Sequence, residues 1–109
     1  QIDPAIHDEY LAIISHAPHA ISFALAKNTN SQYLEKKLPE IKLRGSLSDM
    51  TRIANSDPDA WASIFKDNQS NLIKYIDGYL EELSELKSML ASENINDLVS
   101  YLKKSKPIK

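Results

Sequence analysis

Leu72-Ile73-Lys74-Tyr75-Ile76-Asp77-Gly78-Tyr79-Leu80-Glu81-Glu82-Leu83-Ser84-Glu85-Leu86-Lys87-Ser88-Met89-Leu90 carries a sustained periodic pattern of apolar residues. Its apolar series runs Leu72, Ile76, Tyr79, Leu83, Leu86, Leu90, in alternating steps of four and three. That spacing is a helical seam of the heptad kind, and Ile73 and Leu80 widen it into a stripe. Working back, Asp57-Pro58 is a capping residue followed by a proline suited to the first helical position. One helix is therefore expected from Asp59 to about Ser92. At roughly 1.5 Å per residue such a helix spans about 50 Å, far more than the ~13 Å radius of gyration of a compact domain of this size. It needs a partner along its length, and a second copy of the chain is the simplest one, so a homodimer is expected. Forward of the seam, Asn94 caps a last helix through Leu98, Val99 and Leu102, and the basic tail from Lys103 is expected to fray.

The N-terminal half reads the same way. Asp3 and Pro4 open a helix with apolar residues at Ile6, Tyr10, Ile13, Ile14, Ala17, Ile21 and Leu25. Pro18 interrupts it, and a kink is expected there because proline lacks the N–H and crowds the carbonyl four residues back. Asn28-Thr29-Asn30-Ser31 reads as a polar stop, with Ser31 capping a short helix that ends before Pro39. Another helix fits Leu47, Met50, Ile53 and Ala54. No segment alternates with period two. The fold class is all-α, one domain over residues 1–109, with five or six helices, one of them long.

Composition narrows function. The 109 residues carry 13 Lys and Arg against 15 Asp and Glu, so there is no basic footprint for nucleic acid. Cysteine is absent, which removes disulfides, thiolate metal sites and cysteine nucleophiles. No apolar run approaches the ~18 residues of a membrane span. Gln1-Ile2-Asp3-Pro4 lacks the basic-then-apolar pattern of a leader, and a cytoplasmic protein is expected. A chain beginning with Gln is read as part of something longer. Only 2 glycines occur, about 2% against the usual ~7%, which itself favours helix. Gly45 and Gly78 cannot form either standard glycine loop for nucleotides, so no cofactor is expected on this chain.

Several side chains stand out. His7, His16 and His19 lie close in sequence, and His16 and His19 can share a helix face. Neither an H-E-x-x-H nor a Glu-x-x-His pair accompanies them, so no metal site is expected. His19 follows the helix-interrupting proline, a point where backbone groups are freed and side chains re-aimed. Ser15 beside His16 points about 100° away and lacks a nucleophile elbow, so hydrolysis is excluded. Arg52 has Asp49 three residues before it. Either the two form a local ion pair, or Asp49 holds a guanidinium offered to a carboxylate ligand, which its planar fork matches. Trp61 reads as core, with an indole N–H of use at an interface.

These residues also carry a resemblance. His7-Asp8, then Ile14-Ser15-His16-Ala17-Pro18-His19, then Gly45 and Asp49-Met50-Thr51-Arg52-Ile53-Ala54-Asn55-Ser56-Asp57-Pro58-Asp59-Ala60-Trp61 resemble, in order and spacing, the C-terminal domain of prephenate dehydrogenases. One local departure is Gly45-Ser46-Leu47, where the family usually has Gly-Gly-Phe. The resemblance implies NAD-dependent oxidative decarboxylation of prephenate to 4-hydroxyphenylpyruvate, in tyrosine biosynthesis. It places NAD and the catalytic histidine on an N-terminal dinucleotide domain that this chain lacks, so the chain alone is expected to be inactive. It makes Arg52 the binder of a prephenate carboxylate, oriented by Asp49. His19 becomes the cleft histidine that meets substrate and the feedback inhibitor tyrosine. Gly45 lines the cleft through its backbone, Trp61 reaches the partner subunit's site, and His7, Asp8 and His16 support. Within the family, arogenate in place of prephenate stays open, as does the dual use of cyclohexadienyl dehydrogenases. Outside it stands a helical dimerisation module without catalysis, in which Arg52 and His19 need not share a cleft.

Overall fold

The computed structural model describes residues 3–36 and 45–108, and every described element is helical. Two compact units are present, Gln1–Tyr75 and Ile76–Lys109. In the first, α1 (Pro4–Leu11) begins where the sequence dictates: the Asp3 carboxylate accepts from the Ala5 N–H at 2.9 Å, and Pro4 takes the first helical position. A π-helical turn, Ala12–His16, then leads into α2 (Ala17–Lys36). The Ala17 N–H bonds to the Ala12 carbonyl, five residues back. The expected interruption at Pro18 thus takes the form of a wide turn just before it, which makes room for a ring that has no N–H to give.

The polar stop at Asn28–Ser31 does not occur; α2 runs through it. Asn, Thr and Ser each disfavour helix interiors by only about 0.7 kcal/mol or less, and no glycine or proline lies among them. Packing of α2 against the segment after Gly45 overrides so weak a preference. The expected stop before Pro39 lies outside the described residues. Beyond Gly45 come α3 (Ser46–Thr51) and a 3₁₀ turn (Arg52–Asn55), both packed on α2. The Thr51 hydroxyl donates to the Leu47 carbonyl at 2.7 Å, and the Ser56 hydroxyl donates to that of Ile53, tying off carbonyls that the tightening helix leaves behind.

The Asp57-Pro58 restart holds: the Asp57 carboxylate accepts from the Asp59 N–H at 3.2 Å, opening α4 (Pro58–Asp67). The single helix expected from Asp59 to Ser92 is broken. Asn68 leaves helical geometry at φ −123°, ψ 30°, and α5 (Gln69–Ser92) starts after it. The break has a tertiary cause. The Asn68 amide nitrogen lies 2.8 Å from the Asp8 carbonyl and 3.1 Å from His16 Nδ1, while its oxygen accepts from the Asn71 amide at 2.9 Å. These bonds clip the α4–α5 junction onto the first helical run. Around the clip lie the buried Ala12, Ala17 and Leu72, together with His16. Phe65 meets Phe23 edge-on and Trp61 at a tilt, with centroids 6.1 and 5.7 Å apart.

The second unit contains the C-terminal part of α5 and α6 (Ile95–Lys104). Asn94 caps α6 by accepting from the Asp97 N–H at 3.2 Å. The Tyr101 hydroxyl donates to the Glu82 carboxylate at 2.6 Å, and that hydrogen bond pushes the phenol up to about 12. The apolar stripe here is open. Leu83 and Leu90 of the seam are exposed, as are Ile95, Val99 and Leu102 along α6.

Burial, followed by the charge of nearby His19, holds the His16 pKa below the usual 6.5, against a smaller opposing pull from Asp8. Above pH 6.5 both folded and unfolded forms carry this ring neutral. As pH falls through 6.5 the unfolded chain takes up the proton first, so stability drains away from there downward. The thermal midpoint should fall between pH 7 and 5 more steeply in the parent than in His16→Asn; equal slopes would contradict this.

Candidate functional site

His19 and Trp61 form the centre of the first unit's candidate site. Their rings stack with centroids 3.6 Å apart and planes 10° apart. The wide turn and Pro18 set the azimuth of His19, and the Asp57 cap sets that of Trp61 one turn into α4. The Ser15 carbonyl lies 2.9 Å from His19 Nδ1. A carbonyl only accepts, so the proton sits on Nδ1 and the ring is held twice, by that bond and by the stack. Nε2 has no partner among the described residues. It presents a lone pair when the ring is neutral and an N–H when it is charged, and either state suits a polar ligand atom. His16 approaches the same indole edge-on, 6.2 Å and 79°. One face of Trp61 is thus covered by His19, with His16 against it edge-on, and the residue as a whole remains half-buried.

Arg52 lies on a different element of the same unit. It opens the 3₁₀ turn against α2, is exposed, and makes no hydrogen bond or ion pair with any described residue. The expected pairing with Asp49 is thus not formed. The i,i+3 argument needs a continuous α-helix, whereas α3 ends between the two, with Thr51 at φ −107°, ψ −3°. Asp49 sits in the first turn of α3, its N–H bonded to the Gly45 carbonyl at 3.0 Å. Gly45 has φ 69°, ψ −139°, a backbone that disfavours any side chain although nothing lies within 4 Å of where a Cβ would be. Its demand is conformational rather than steric.

The supporting residues divide. His16 is buried and joined to Asn68; Asp8 contributes its backbone carbonyl to the same amide. His7 is exposed, and its N–H serves only the first turn of α1, bonding to the Asp3 carbonyl at 2.9 Å. The structure therefore gathers His16, His19, Trp61 and Asp8 into one connected set, and Gly45, Asp49 and Arg52 into a second on the segment against α2. No hydrogen bond or ring contact joins the sets among the described residues. Among those residues, too, no three His, Asp or Glu converge as metal ligands. A groove of about 770 Å³ in the second unit, lined by Tyr79, Glu82, Asp97, Tyr101 and Lys104, involves none of the predicted residues.

Sequence reasoning missed Asn68 and Phe65. The signal for Asn68 was faint: Lys66-Asp67-Asn68-Gln69-Ser70 is a polar run holding one cap-forming residue, without glycine or proline.

The family model described as prephenate dehydrogenase, dimerization domain, matches residues 3–104. The chain is 31% identical over 100 residues to a cyclohexadienyl dehydrogenase of Zymomonas mobilis, covering 91% of this chain and 34% of that protein. It is 29% identical over 108 residues to a prephenate dehydrogenase of Bacillus subtilis, covering 97% of this chain and 29% of that one. Among solved structures, the prephenate dehydrogenase of A. aeolicus in complex with hydroxyphenyl propionate and NAD+ superposes with a TM-score of 0.77 at 37% identity, over 94% of this chain and 36% of that chain. A Synechocystis arogenate dehydrogenase, 24% identical, shares the fold at the same TM-score over 95% of this chain and 38% of its own. The chain thus spans about a third of the length of these relatives. Carrying the stacked His19–Trp61 pair and the solvent-facing Arg52 on this fold, the chain belongs to the prephenate dehydrogenase dimerization-domain family.

Proposed function

We propose that this chain is the substrate-side helical domain of an NAD-dependent prephenate dehydrogenase of the cytoplasm, working as a homodimer in tyrosine biosynthesis. The family match over residues 3–104 carries this reading, and the geometry agrees with it at two points. The exposed Arg52 guanidinium meets no acceptor among the described residues, and its five N–H donors form a rigid fork suited to a carboxylate. The His19 ring is fixed while its Nε2 meets no partner among the described residues. Prephenate is a dianion, so a guanidinium gripping one carboxylate and a histidine meeting another polar group would orient the ring for loss of CO₂ and hydride. Positioning of that kind is the main service a protein renders to such a step. The same histidine is where tyrosine would be felt as inhibitor.

Asp49, unpaired with Arg52, shapes the α3 side of the cleft, and Gly45 lends it backbone. The residues present do not fit NAD. They include no strand among those described and no glycine loop, so the cofactor and the catalytic histidine are assigned to the part of the enzyme outside this chain. A relative named cyclohexadienyl dehydrogenase favours a second reading in which arogenate is also accepted; the Arg52 grip serves a carboxylate in either case.

The homodimer rests on uncovered apolar surface as well as on the family. Buried apolar residues among those described are only Ala12, Ala17 and Leu72, whereas Ile6, Tyr10, Ile13 and Ile14 are each about half exposed or more. In the second unit Leu83 and Leu90 stand at 44% and 59% exposure. Soluble proteins seldom leave so much apolar area open unless a partner covers it. We divide the seam accordingly: Leu72 belongs to the intrachain core, Leu83 and Leu90 to the subunit interface.

Two outcomes follow for the complete dehydrogenase. In Arg52→Ala, loss of a charge-assisted contact of about 1.5–3 kcal/mol should raise KM for prephenate by about 10- to 150-fold; an unchanged KM would remove Arg52 from the binding role. In Leu83→Glu/Leu90→Glu, each leucine forfeits about 1.5–3 kcal/mol of burial and a two-fold axis counts it twice. Sedimentation equilibrium should then show the dimer dissociation constant raised by at least ~100-fold over the parent, and an unchanged dissociation constant would contradict the assignment.

A further inference from the structure

The direction of hydrogen bonding at Asn68 is forced. The Asp8 carbonyl can only accept, so the end of the Asn68 side chain 2.8 Å from it is the NH₂. The same nitrogen lies 3.1 Å from His16 Nδ1 and has only protons to offer. His16 Nδ1 must therefore be the acceptor, and the ring's proton must sit on Nε2. The far end of the amide agrees, since the Asn68 oxygen takes a proton from the Asn71 amide at 2.9 Å.

Asn68 stands where α5 starts: the Leu72 N–H bonds to its carbonyl at 3.0 Å. An asparagine there ordinarily spends its side-chain oxygen on a free N–H of the first turn. Here the oxygen takes the Asn71 side chain instead, and the amide nitrogen reaches residues 52 and 60 positions away in sequence. The local cap is given up for a tertiary hold on His16. His16 in turn abuts the Trp61 indole edge-on, and Trp61 stacks on His19.

We propose that Asn68 is a positioning residue: by donating to His16 Nδ1 it holds His16 as the Nε2–H tautomer and fixes the ring against which Trp61, and through it His19, is set for ligand. The functional half rests on the prephenate dehydrogenase reading; the tautomer half does not. Asn68→Asp keeps the shape but replaces the donor by an acceptor, so the proton is drawn to His16 Nδ1 and the bond to Asp8 is lost. His16→Asn keeps an acceptor near Nδ1 and removes the ring.

The test uses the complete dehydrogenase, labelled with ¹⁵N-histidine, in parent, Asn68→Asp, His16→Asn and double-variant forms. The His16 resonances, identified by their loss in His16→Asn, should show the parent ring protonated on Nε2 and the Asn68→Asp ring protonated on Nδ1. In kinetics, Asn68→Asp should raise KM for prephenate about 5- to 10-fold with kcat within twofold, and should add little to KM in the His16→Asn background. A parent His16 protonated on Nδ1 overturns the tautomer claim whatever the activity. A KM unmoved by Asn68→Asp, or an effect of equal size with and without the His16 ring, overturns the positioning claim. Should Asn68→Asp not fold, Asn68→Ala takes its place with the same kinetic expectation. Absence of turnover with both prephenate and arogenate in the folded parent would fail the underlying enzyme reading and leave the tautomer result standing.

Discussion

One side-chain amide ties the α4–α5 junction to the first helical run. Asn68 sits at the only non-helical residue between α4 and α5 and bonds to the backbone of α1 and to the ring of His16 in the π-helical turn. A buried histidine with an unmet nitrogen would cost on the order of 1–3 kcal/mol, a large share of a small domain's stability. Meeting that nitrogen from Asn68 fixes where α4 lies against the first helical run. Trp61 is carried on α4, so its stack on His19 is a consequence of the same contact. The helix break, the aromatic cluster and the fixed histidine are one arrangement seen from three residues.

The wide turn before Pro18 contributes the other half of that arrangement. A proline inside a helix has to be accommodated, and an extra residue in the turn ahead of it is one of the few ways to do so without ending the helix. The turn spans Ala12–His16, and His16 and His19 flank the proline on either side. Chain distortion and candidate chemistry therefore coincide, as happens where a backbone irregularity re-aims side chains. Arg52 obeys a related logic. The shift from α3 to a 3₁₀ turn at Arg52 separates it from Asp49, leaving the guanidinium free for something outside the described residues.

Much of this was legible in the sequence. Helix starts were, because caps are local chemistry: Asp3-Pro4, Asp57-Pro58 and Asn94 each act where they stand. The all-α class followed from scarce glycine and three-four apolar spacing. What stayed hidden depends on contacts distant along the chain. The stop read at Asn28–Ser31 failed because packing of α2 outweighs weak propensities. The break at Asn68 was invisible because its cause lies 52 and 60 residues away. The Asp49–Arg52 pair failed because spacing says nothing of a helix that tightens between two residues. The sequence singled out His16, His19 and Trp61 one by one, as motif residues; that Trp61 stacks on His19 and abuts His16 is a tertiary fact that spacing along the chain does not reveal.

On the proposed function, this domain presents a carboxylate-gripping arginine and a fixed histidine to prephenate within a dehydrogenase. The most direct test is to follow reduced-cofactor absorbance with the complete protein, supplied with NAD and either prephenate or arogenate. Cofactor reduction is expected with prephenate, dependent on substrate and saturable. A folded, dimeric protein that reduces no cofactor with either substrate would contradict it and leave Arg52 and His19 as parts of a packing module.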